Sequence, residues 1–370
     1  MALWYIMPAI VWIPLGIYLF HVIRRILTLF HLDKKGKISN LISLILTLCC
    51  AAWGWMLYGL GAVLILHFLA ACGVMEIVWQ IGKRVCKAKN KNDIKVLRFL
   101  YQSCIVGFLT VAIAAGYGSY NIKNVRQKNY TLTTKKQIQN GMKIVQISDL
   151  HTPTTMTTDK FKTYCQKIQA QHPDILALTG DIFDENTTKE EMQTVAKALG
   201  QIKTTYGIFY VFGNHDYNYY TNKPYYTPDV LRKTLKENGI HVLEDQSYQI
   251  SDNFRVVGRK DASVERKDIK EVVGDKKKDE FVLVLDHQPR GLKDNKKAGV
   301  DLSLSGHTHA GQIWPTGQLG ELIGVTELNY GHRQDGDYQV IVSSGIGGWG
   351  YPIRTGGHSE YVVITLNTEK

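Results

Sequence analysis

The hydrophobic positions of this chain form long uninterrupted runs in its first third and short, regularly spaced runs afterwards. Three long stretches, 1–23, 38–75 and 99–122, contain no Asp, Glu, Lys or Arg. The middle stretch would make a helix of about 57 Å, nearly twice the ~30 Å hydrocarbon core of a bilayer. We therefore divide it at the Gly59 and Gly61 pair. Four transmembrane helices are predicted near 3–22, 39–58, 62–82 and 99–120.

From residue 141 onward, short apolar runs alternate with stretches of helical spacing. The apolar runs predict strands at 142–147, 175–179 and 207–212, and amphipathic spacing predicts helices between them at 159–171 and 188–203. Thr188 and Glu191 form a capping-box pattern, and a third helix is predicted between Thr227-Pro228 and Asn238-Gly239. Further strands are predicted at 241–243, 248–250, 254–258, 281–286, 302–305, 339–343 and 361–366. This alternation indicates a mixed α/β domain over 141–370, with two packed sheets flanked by helices and a linker at 121–140.

Charge divides the chain in the same way. Residues 1–140 contain 17 of the 44 Lys and Arg residues but only three of the 33 acidic residues, whereas the remainder has 27 basic and 30 acidic residues. The net charge of +11 therefore belongs to the apolar part and does not indicate a nucleic-acid partner. The predicted loops 24–37 and 83–98 hold 12 basic residues, against five in 121–140. By this bias we expect a multi-pass cell-membrane protein with its large domain outside the cytoplasm.

Side chains that bind metal ions follow five of the predicted strands. Because strand carboxyl ends carry the sites of open α/β sheets, we expect these side chains to meet. A structural metal site is the alternative, but structural zinc sites prefer thiolates and closed coordination shells. The residues concerned are Asp149, His151, Asp181, Asp184, Asn214, His215, Asp216, His287, His307 and His309.

The five motifs ISDLH, GDIFD, GNHD, LDHQP and SGHTH resemble those of the calcineurin-like metallophosphoesterases. The likeness covers roughly 142–370 and, with the apolar helices before it, is nearest to the membrane-anchored bacterial branch of that superfamily. The fold class implied is an N-terminal four-helix transmembrane bundle followed by a calcineurin-like four-layer α/β metallophosphoesterase sandwich. The activity implied is phosphoester hydrolysis in which a metal-bridged hydroxide attacks phosphorus.

The resemblance also implies a role for each matching residue. Two divalent ions are expected, one held by Asp149, His151, Asp181 and His309, and the other by Asp181, Asn214, His287 and His307. His215 would contact the phosphate and protonate the leaving oxygen, Asp216 would orient His215, and Asp184 would support the ligands. With a bridging hydroxide the site would carry a charge of about +1, which favours a phosphate. The mixed nitrogen and oxygen ligands fit Mn, Fe, Zn or Co.

The substrate is less closely defined by the sequence. A membrane tether favours a lipid-linked or envelope phosphate or pyrophosphate ester. The alternatives are a broad extracytoplasmic phosphomonoesterase or phosphodiesterase, and a sensor that binds a phosphorylated ligand without turnover. Arg354, in a glycine-rich loop, is a candidate phosphate clamp, and the alternative is a residue of a surface turn. Five tyrosines after Asp216 suggest either contact with lipid or ordinary loop packing; they are Tyr217, Tyr219, Tyr220, Tyr225 and Tyr226.

Overall fold

The computed structural model describes residues 2–32, 36–56, 59–88 and 95–369. The chain divides into two compact units between Ser119 and Tyr120. The helices of the first unit are α1 (Ala2–Leu27), α2 (Lys37–Trp53), α3 (Leu60–Ala88), α4 (Lys95–Ser103) and α5 (Ile105–Lys123), the last of which continues into the second unit.

Three helices in the described part of the first unit are long and apolar enough to cross a membrane, at Ile10–Phe30, Leu60–Lys87 and Ile105–Lys123. They correspond to three of the four predicted spans. The fourth prediction, 39–58, coincides with α2, which is apolar but has only 17 residues. Parts of the predicted loops and turn, 33–35, 57–58 and 89–94, lie outside the described residues.

A charged pair lies among these apolar helices. Arg25, expected in a loop, belongs to the last turns of α1 and is buried. Its guanidinium donates to the carboxylate of Glu76 on α3 at 2.8 Å, and Tyr101 of α4 donates to the same carboxylate at 3.1 Å. The guanidinium also lies 3.9 Å from the centroid of the Tyr101 ring. This cluster therefore joins three helices and gives Glu76 a structural partner.

The second unit is an α/β sandwich. Its strands are β1 (Arg126–Thr134), β2 (Met142–Ile147), β3 (Ile175–Thr179), β4 (Gly207–Val211), β5 (Ile240–Val242), β6 (Gln246–Ser251), β7 (Phe254–Gly258), β8 (Phe281–Leu285), β9 (Leu302–Ser305), β10 (Gly331–Asp335), β11 (Tyr338–Val342) and β12 (Glu360–Thr368). Its helices are α6 (Thr158–Gln169), α7 (Lys189–Gly200), α8 (Pro228–Glu237), α9 (Ile269–Val273), α10 (Leu292–Lys297) and α11 (Thr316–Leu322).

Two six-stranded sheets form the middle layers of this unit over its described residues. The strand order is β1-β12-β2-β3-β4-β5 in the first sheet and β10-β11-β9-β8-β7-β6 in the second. A shared core fills the space between them, and separate cores join the first sheet to α6, α7 and α8 and the second sheet to α9 and α10. The predicted four-layer sandwich is therefore confirmed. Because β2, β3 and β4 are parallel, as are β8 and β9, their carboxyl ends share an edge within each sheet.

The main differences from the sequence analysis lie at the sheet edges. Residues 121–140, expected as a linker, contain the last turn of α5 and the whole of β1, which pairs with β12 along nine residues. Most side chains of β1 and β10 are exposed and polar, so neither strand shows the apolar alternation by which strands are predicted. The predicted ends of α6, α7 and α8 agree more closely with the observed ends, and the capping box of Thr188 and Glu191 is present.

Candidate metal centre

The first group of candidate ligands consists of Asp149, His151 and His309. Each offers an atom within 4.8 Å of the others, and all three residues are buried. Nε2 of His309 lies 3.5 Å from Oδ1 of Asp149. Both ring nitrogens of His151 and Nδ1 of His309 are buried without a hydrogen-bond partner. Because an unpaired buried nitrogen is unfavourable, and each ring can offer one nitrogen to an ion, this group fits a site that is completed by a cation.

The second group consists of Asp181, His287 and His307, again with ligand atoms within 4.8 Å of one another. Nδ1 of His287 lies 2.8 Å from the carbonyl oxygen of Thr179, which fixes Nε2 toward Oδ2 of Asp181 at 3.0 Å. Oδ2 of Asp181 also lies 3.8 Å from Nε2 of His151, so this carboxylate stands between the two groups. The side-chain oxygen of Asn214 is buried without a partner, as expected of an amide that binds a cation.

The backbone of the candidate ligands is held in an unusual conformation. Asp149, His151, Asp181, His307 and His309 all have positive φ angles, between 45° and 71°. The left-handed region costs an L-residue about 1–2 kcal/mol, so the surrounding loops must hold these residues in place. The amide of His307 donates to both carboxylate oxygens of Asp149, at 3.0 and 3.1 Å. The strained backbone therefore brings the side chains of separate loops to one place.

Glycines in the motifs make this close approach possible. A β-carbon on Gly213 would overlap the Asp181 carboxylate, and one on Gly306 would overlap the Asp149 carboxylate. At Gly180 it would meet the backbone nitrogen of Gly213 at 2.6 Å. The glycine in each of these motifs is therefore required by the position of a carboxylate or of the neighbouring loop.

The partner of His215 differs from the one expected. Nδ1 of His215 lies 2.7 Å from Oε1 of Glu185, whereas Asp216 does not contact the imidazole. Asp216 instead accepts hydrogen bonds from the amides of Asp181 and Gly213 at 2.8 Å, from the amide of Phe183 and from the Tyr210 hydroxyl. The expectation that Asp216 orients His215 is thus corrected, because the Asp216 carboxylate instead accepts hydrogen bonds from the backbone of two loops that carry candidate ligands. Glu185 was missed, although it directly follows the GDIFD motif.

Electrostatics keep two of the candidate histidine ligands neutral and therefore ready for a cation. Burial and His287 lower the pKa of His307 to about 4, and burial and His151 hold the pKa of His309 well below its ordinary value. Burial opposes the charged form of His287, but Asp181 outweighs it and raises the pKa of His287 well above its ordinary value. A proton and a metal ion therefore compete for the position between Asp181 and His287.

His215 is the basic group beside this centre. Burial acts to lower its pKa, but the carboxylates of Asp181 and Glu185 outweigh burial and raise the pKa of His215 to about 9. Its ring lies 4.8 Å from that of Tyr220 and 5.3 Å from that of Trp349, centroid to centroid. A protonated imidazole enclosed by aromatic rings is suited to donate a proton to an oxygen.

The remaining candidates occupy supporting positions. Asp184 lies 3.6 Å from Nδ1 of His151 and accepts from Thr154. Arg354 is fully buried, and its guanidinium donates to the carbonyl oxygens of His309 at 2.8 Å and Gly347 at 2.6 Å. Arg354 is therefore neither a surface turn residue nor placed to clamp a phosphate, because it is fully buried and two of its donors join two loops of the site.

Of the five tyrosines after Asp216, two are buried in the loop and three are exposed. Tyr217 and Tyr226 are buried, and the Tyr217 ring packs 5.2 Å from that of Phe212, as loop packing requires. Tyr219, Tyr220 and Tyr225 are exposed, and the Tyr220 hydroxyl accepts from Asn214 at 3.3 Å. Only Tyr220 of this group therefore contacts a candidate ligand.

Comparison with known proteins places this arrangement in a family. A family model described as calcineurin-like phosphoesterase matches residues 142–311. An uncharacterized metallophosphoesterase of Aquifex aeolicus (strain VF5) is 30% identical over 267 residues, which is 70% of this chain and 98% of that protein. One of Helicobacter pylori (strain J99) is 28% identical over 236 residues, which is 62% of this chain but only 61% of the relative's length.

A transmembrane relative extends the likeness beyond the sandwich. The transmembrane protein with metallophosphoesterase domain of Danio rerio is 25% identical over 324 residues, which is 82% of this chain and 71% of that protein. Together with the three apolar helices long enough to cross a bilayer, this similarity indicates a membrane protein.

Proposed function

Because this chain belongs to the calcineurin-like metallophosphoesterases, we propose that it is a membrane-anchored phosphoester hydrolase with a binuclear metal centre. The observation that carries the proposal is the meeting of two ligand groups from distant loops, with the Asp181 carboxylate between them. Asp149, His151, Asp181 and His309 would hold one ion, and Asp181, Asn214, His287 and His307 the other. When bound, two such ions would polarise a phosphoryl oxygen and activate water at neutral pH.

The protein's own groups would complete the reaction. Protonated His215 would hydrogen-bond to the phosphate and give its proton to the leaving oxygen, while Glu185 holds the imidazole at 2.7 Å. Asp216 would keep the loops of Asp181 and Gly213 together through its three backbone hydrogen bonds. Asp184 would hold the His151 ring at Nδ1, while Nε2 of the same ring faces Asp181.

The activity is tested with the full chain purified in detergent. Wild type, Asn214→Ala and His215→Ala are assayed against a chromogenic phosphodiester and the matching phosphomonoester, with Mn, Fe, Zn or Co added in turn. We expect His215→Ala to lose about 10²–10⁴-fold in kcat while it retains the metal, since it removes only a proton donor. Asn214→Ala should lose metal, as measured by elemental analysis of the dialysed protein. Equal inactivity of all three proteins with every metal and substrate would instead favour a non-catalytic phosphate sensor.

We further propose that the substrate is a lipid-linked or envelope phosphate or pyrophosphate ester. The membrane anchor supports this, because it raises the local concentration of any substrate in the same bilayer. The proposed arrangement is a four-span domain over 1–120, a multi-pass topology, and a catalytic domain outside the cytoplasm that covers 141–370 and also includes β1. The charge bias of 12 basic residues to five supports that orientation. Protease added to intact cells should cleave the catalytic domain, and its full protection would reverse the topology.

A further inference from the structure

The exposed apolar side chains of the second unit are concentrated in one short segment. Among the described residues beyond 123, the exposed large apolar residues other than tyrosine are Trp314, Leu319, Leu322, Ile323 and Val325. Leu322 is 81% exposed and Ile323 is 73% exposed, although both would be expected inside a soluble domain. We call residues 314–325, which include α11, the apolar segment. A contiguous group of this kind marks a surface that meets a partner or a membrane.

The apolar segment is built onto the metal centre. It begins five residues after His309, and the Gln312 side chain between them donates to the carbonyl oxygens of Trp349 and Tyr351 at 2.9 and 3.2 Å. The amide of Trp314 donates to the hydroxyl of Thr355 at 3.0 Å. The segment is thus fixed to the loop 345–358, the loop that Arg354 joins to His309.

The same loop binds the end of α5. Asn121, in the last turn of α5, donates to the carbonyl oxygens of Arg354 at 3.1 Å and Gly357 at 2.8 Å. Trp314 contacts Thr355, which lies between those two residues in the chain. α5 is one of the helices long and apolar enough to cross a membrane. The apolar segment is therefore tied, through the loop 345–358, to the last turn of α5 within the second unit.

Composition favours a lipid surface as the occupant. Between Gln312 and Thr326 the only charged side chain is Glu321, whose carboxylate accepts from the Asn329 amide at 3.0 Å. A tryptophan at the start of a short helix with exposed Leu, Ile and Val is typical of segments that enter the headgroup region of a membrane.

We propose that the apolar segment inserts into the bilayer interface and that a substrate carrying an acyl or alkyl chain reaches the metal centre along it. The membrane contact is independent of catalysis, whereas the substrate route rests on the proposed function. The segment would place the phosphate of an embedded lipid next to the loop of His309, without requiring the lipid to leave the bilayer.

The membrane contact is tested on the full chain in phospholipid nanodiscs. A phospholipid that carries a photoactivatable carbene precursor in its acyl chain labels the protein, and mass spectrometry locates the label. We expect label in the apolar helices and in residues 314–325, but not in α8, an amphipathic surface helix used as the control. Label in the apolar helices with none in 314–325 would overturn the membrane contact, as would cross-linking of the segment to a second copy.

The substrate route is tested with two chromogenic probes, 4-nitrophenyl ethyl phosphate and 4-nitrophenyl hexadecyl phosphate, in the same nanodiscs. The double variant Leu322→Ser/Ile323→Ser should lower kcat/KM about tenfold for the hexadecyl probe only, because the embedded chain loses its apolar route to the metal centre while the anchor still holds the protein in the bilayer. Lys293→Ser on α10, also exposed, is the matched control. Equal loss on both probes, or no loss on either, would overturn the route. If the wild type hydrolyses neither probe, the proposed function fails, and the labelling pattern still decides the membrane contact.

Discussion

The contact between Glu185 and His215 gives the sharpest prediction about the reaction. The side chains meet at 2.7 Å and are only 15% and 11% exposed, so water screens them weakly. A hydrogen bond to a charged group is worth about 1.5–3 kcal/mol. Glu185→Gln keeps the shape of the side chain but removes the charge. If His215 must be protonated to act, losing that hydrogen bond lowers its pKa from about 9 by about 1–2, which reduces kcat/KM about 10–150-fold near pH 10 but at most about threefold at pH 7.

The assay measures kcat and KM for a chromogenic phosphodiester between pH 6 and about 10, with the metal content of each sample measured in parallel. Because Glu185 helps to raise the pKa of His215 to about 9, the substitution should lower that pKa and move the alkaline fall in activity to lower pH. Metal content should not change. Glu190→Gln, the same chemical change at an exposed position on α7, is the control. An alkaline limb at the same pH as in the wild type, with kcat/KM within twofold of wild type near pH 10, would refute the assignment.

Three further predictions concern metal binding and stability. Gly306→Ala places a methyl group against the Asp149 carboxylate and Ser148. It should therefore lower the free energy of unfolding by about 1–3 kcal/mol and reduce the metal content found by elemental analysis. Gly320→Ala, where a β-carbon has room, is the control and should do neither. Glu76→Gln leaves buried Arg25 without its carboxylate at 2.8 Å, so the detergent-solubilised chain should lose about 2 kcal/mol and unfold at a lower temperature; an unchanged Tm would contradict the structural role of the pair. Burial acts to raise the pKa of Glu280, but hydrogen bonds from Gln249 and Arg255 outweigh burial and leave that pKa below its ordinary value of 4.5. The ionised carboxylate therefore stabilises the fold above pH 4.5, and this contribution disappears as the pH falls through the folded-state pKa. The Tm difference between wild type and Glu280→Gln should accordingly be largest near pH 7 and shrink below about pH 4, and a constant difference would exclude this linkage.

The strands that position the site could be predicted because they are buried on both faces. β3, for example, turns Ile175 and Ala177 toward the other sheet and Leu176 and Leu178 toward the helices, so its sequence is continuously apolar. The edge strands β1 and β10 could not be predicted, because main-chain pairing with β12 and β11 forms them and most of their side chains remain in water. Likewise, Arg25 appears in the sequence as a loop residue, and only its contact with Glu76 explains its position inside α1.

By itself, the sequence determined which residues could bind metal ions and which strands those residues follow, since spacing and residue chemistry are properties of the chain. Only the tertiary structure decided which partner each group takes. Glu185 rather than Asp216 meets His215, and Arg354 binds carbonyl oxygens rather than facing a substrate. The physical reason is that a buried charged group must be satisfied by whatever donors or acceptors the fold brings within about 3 Å, and the chain's linear order does not give those distances.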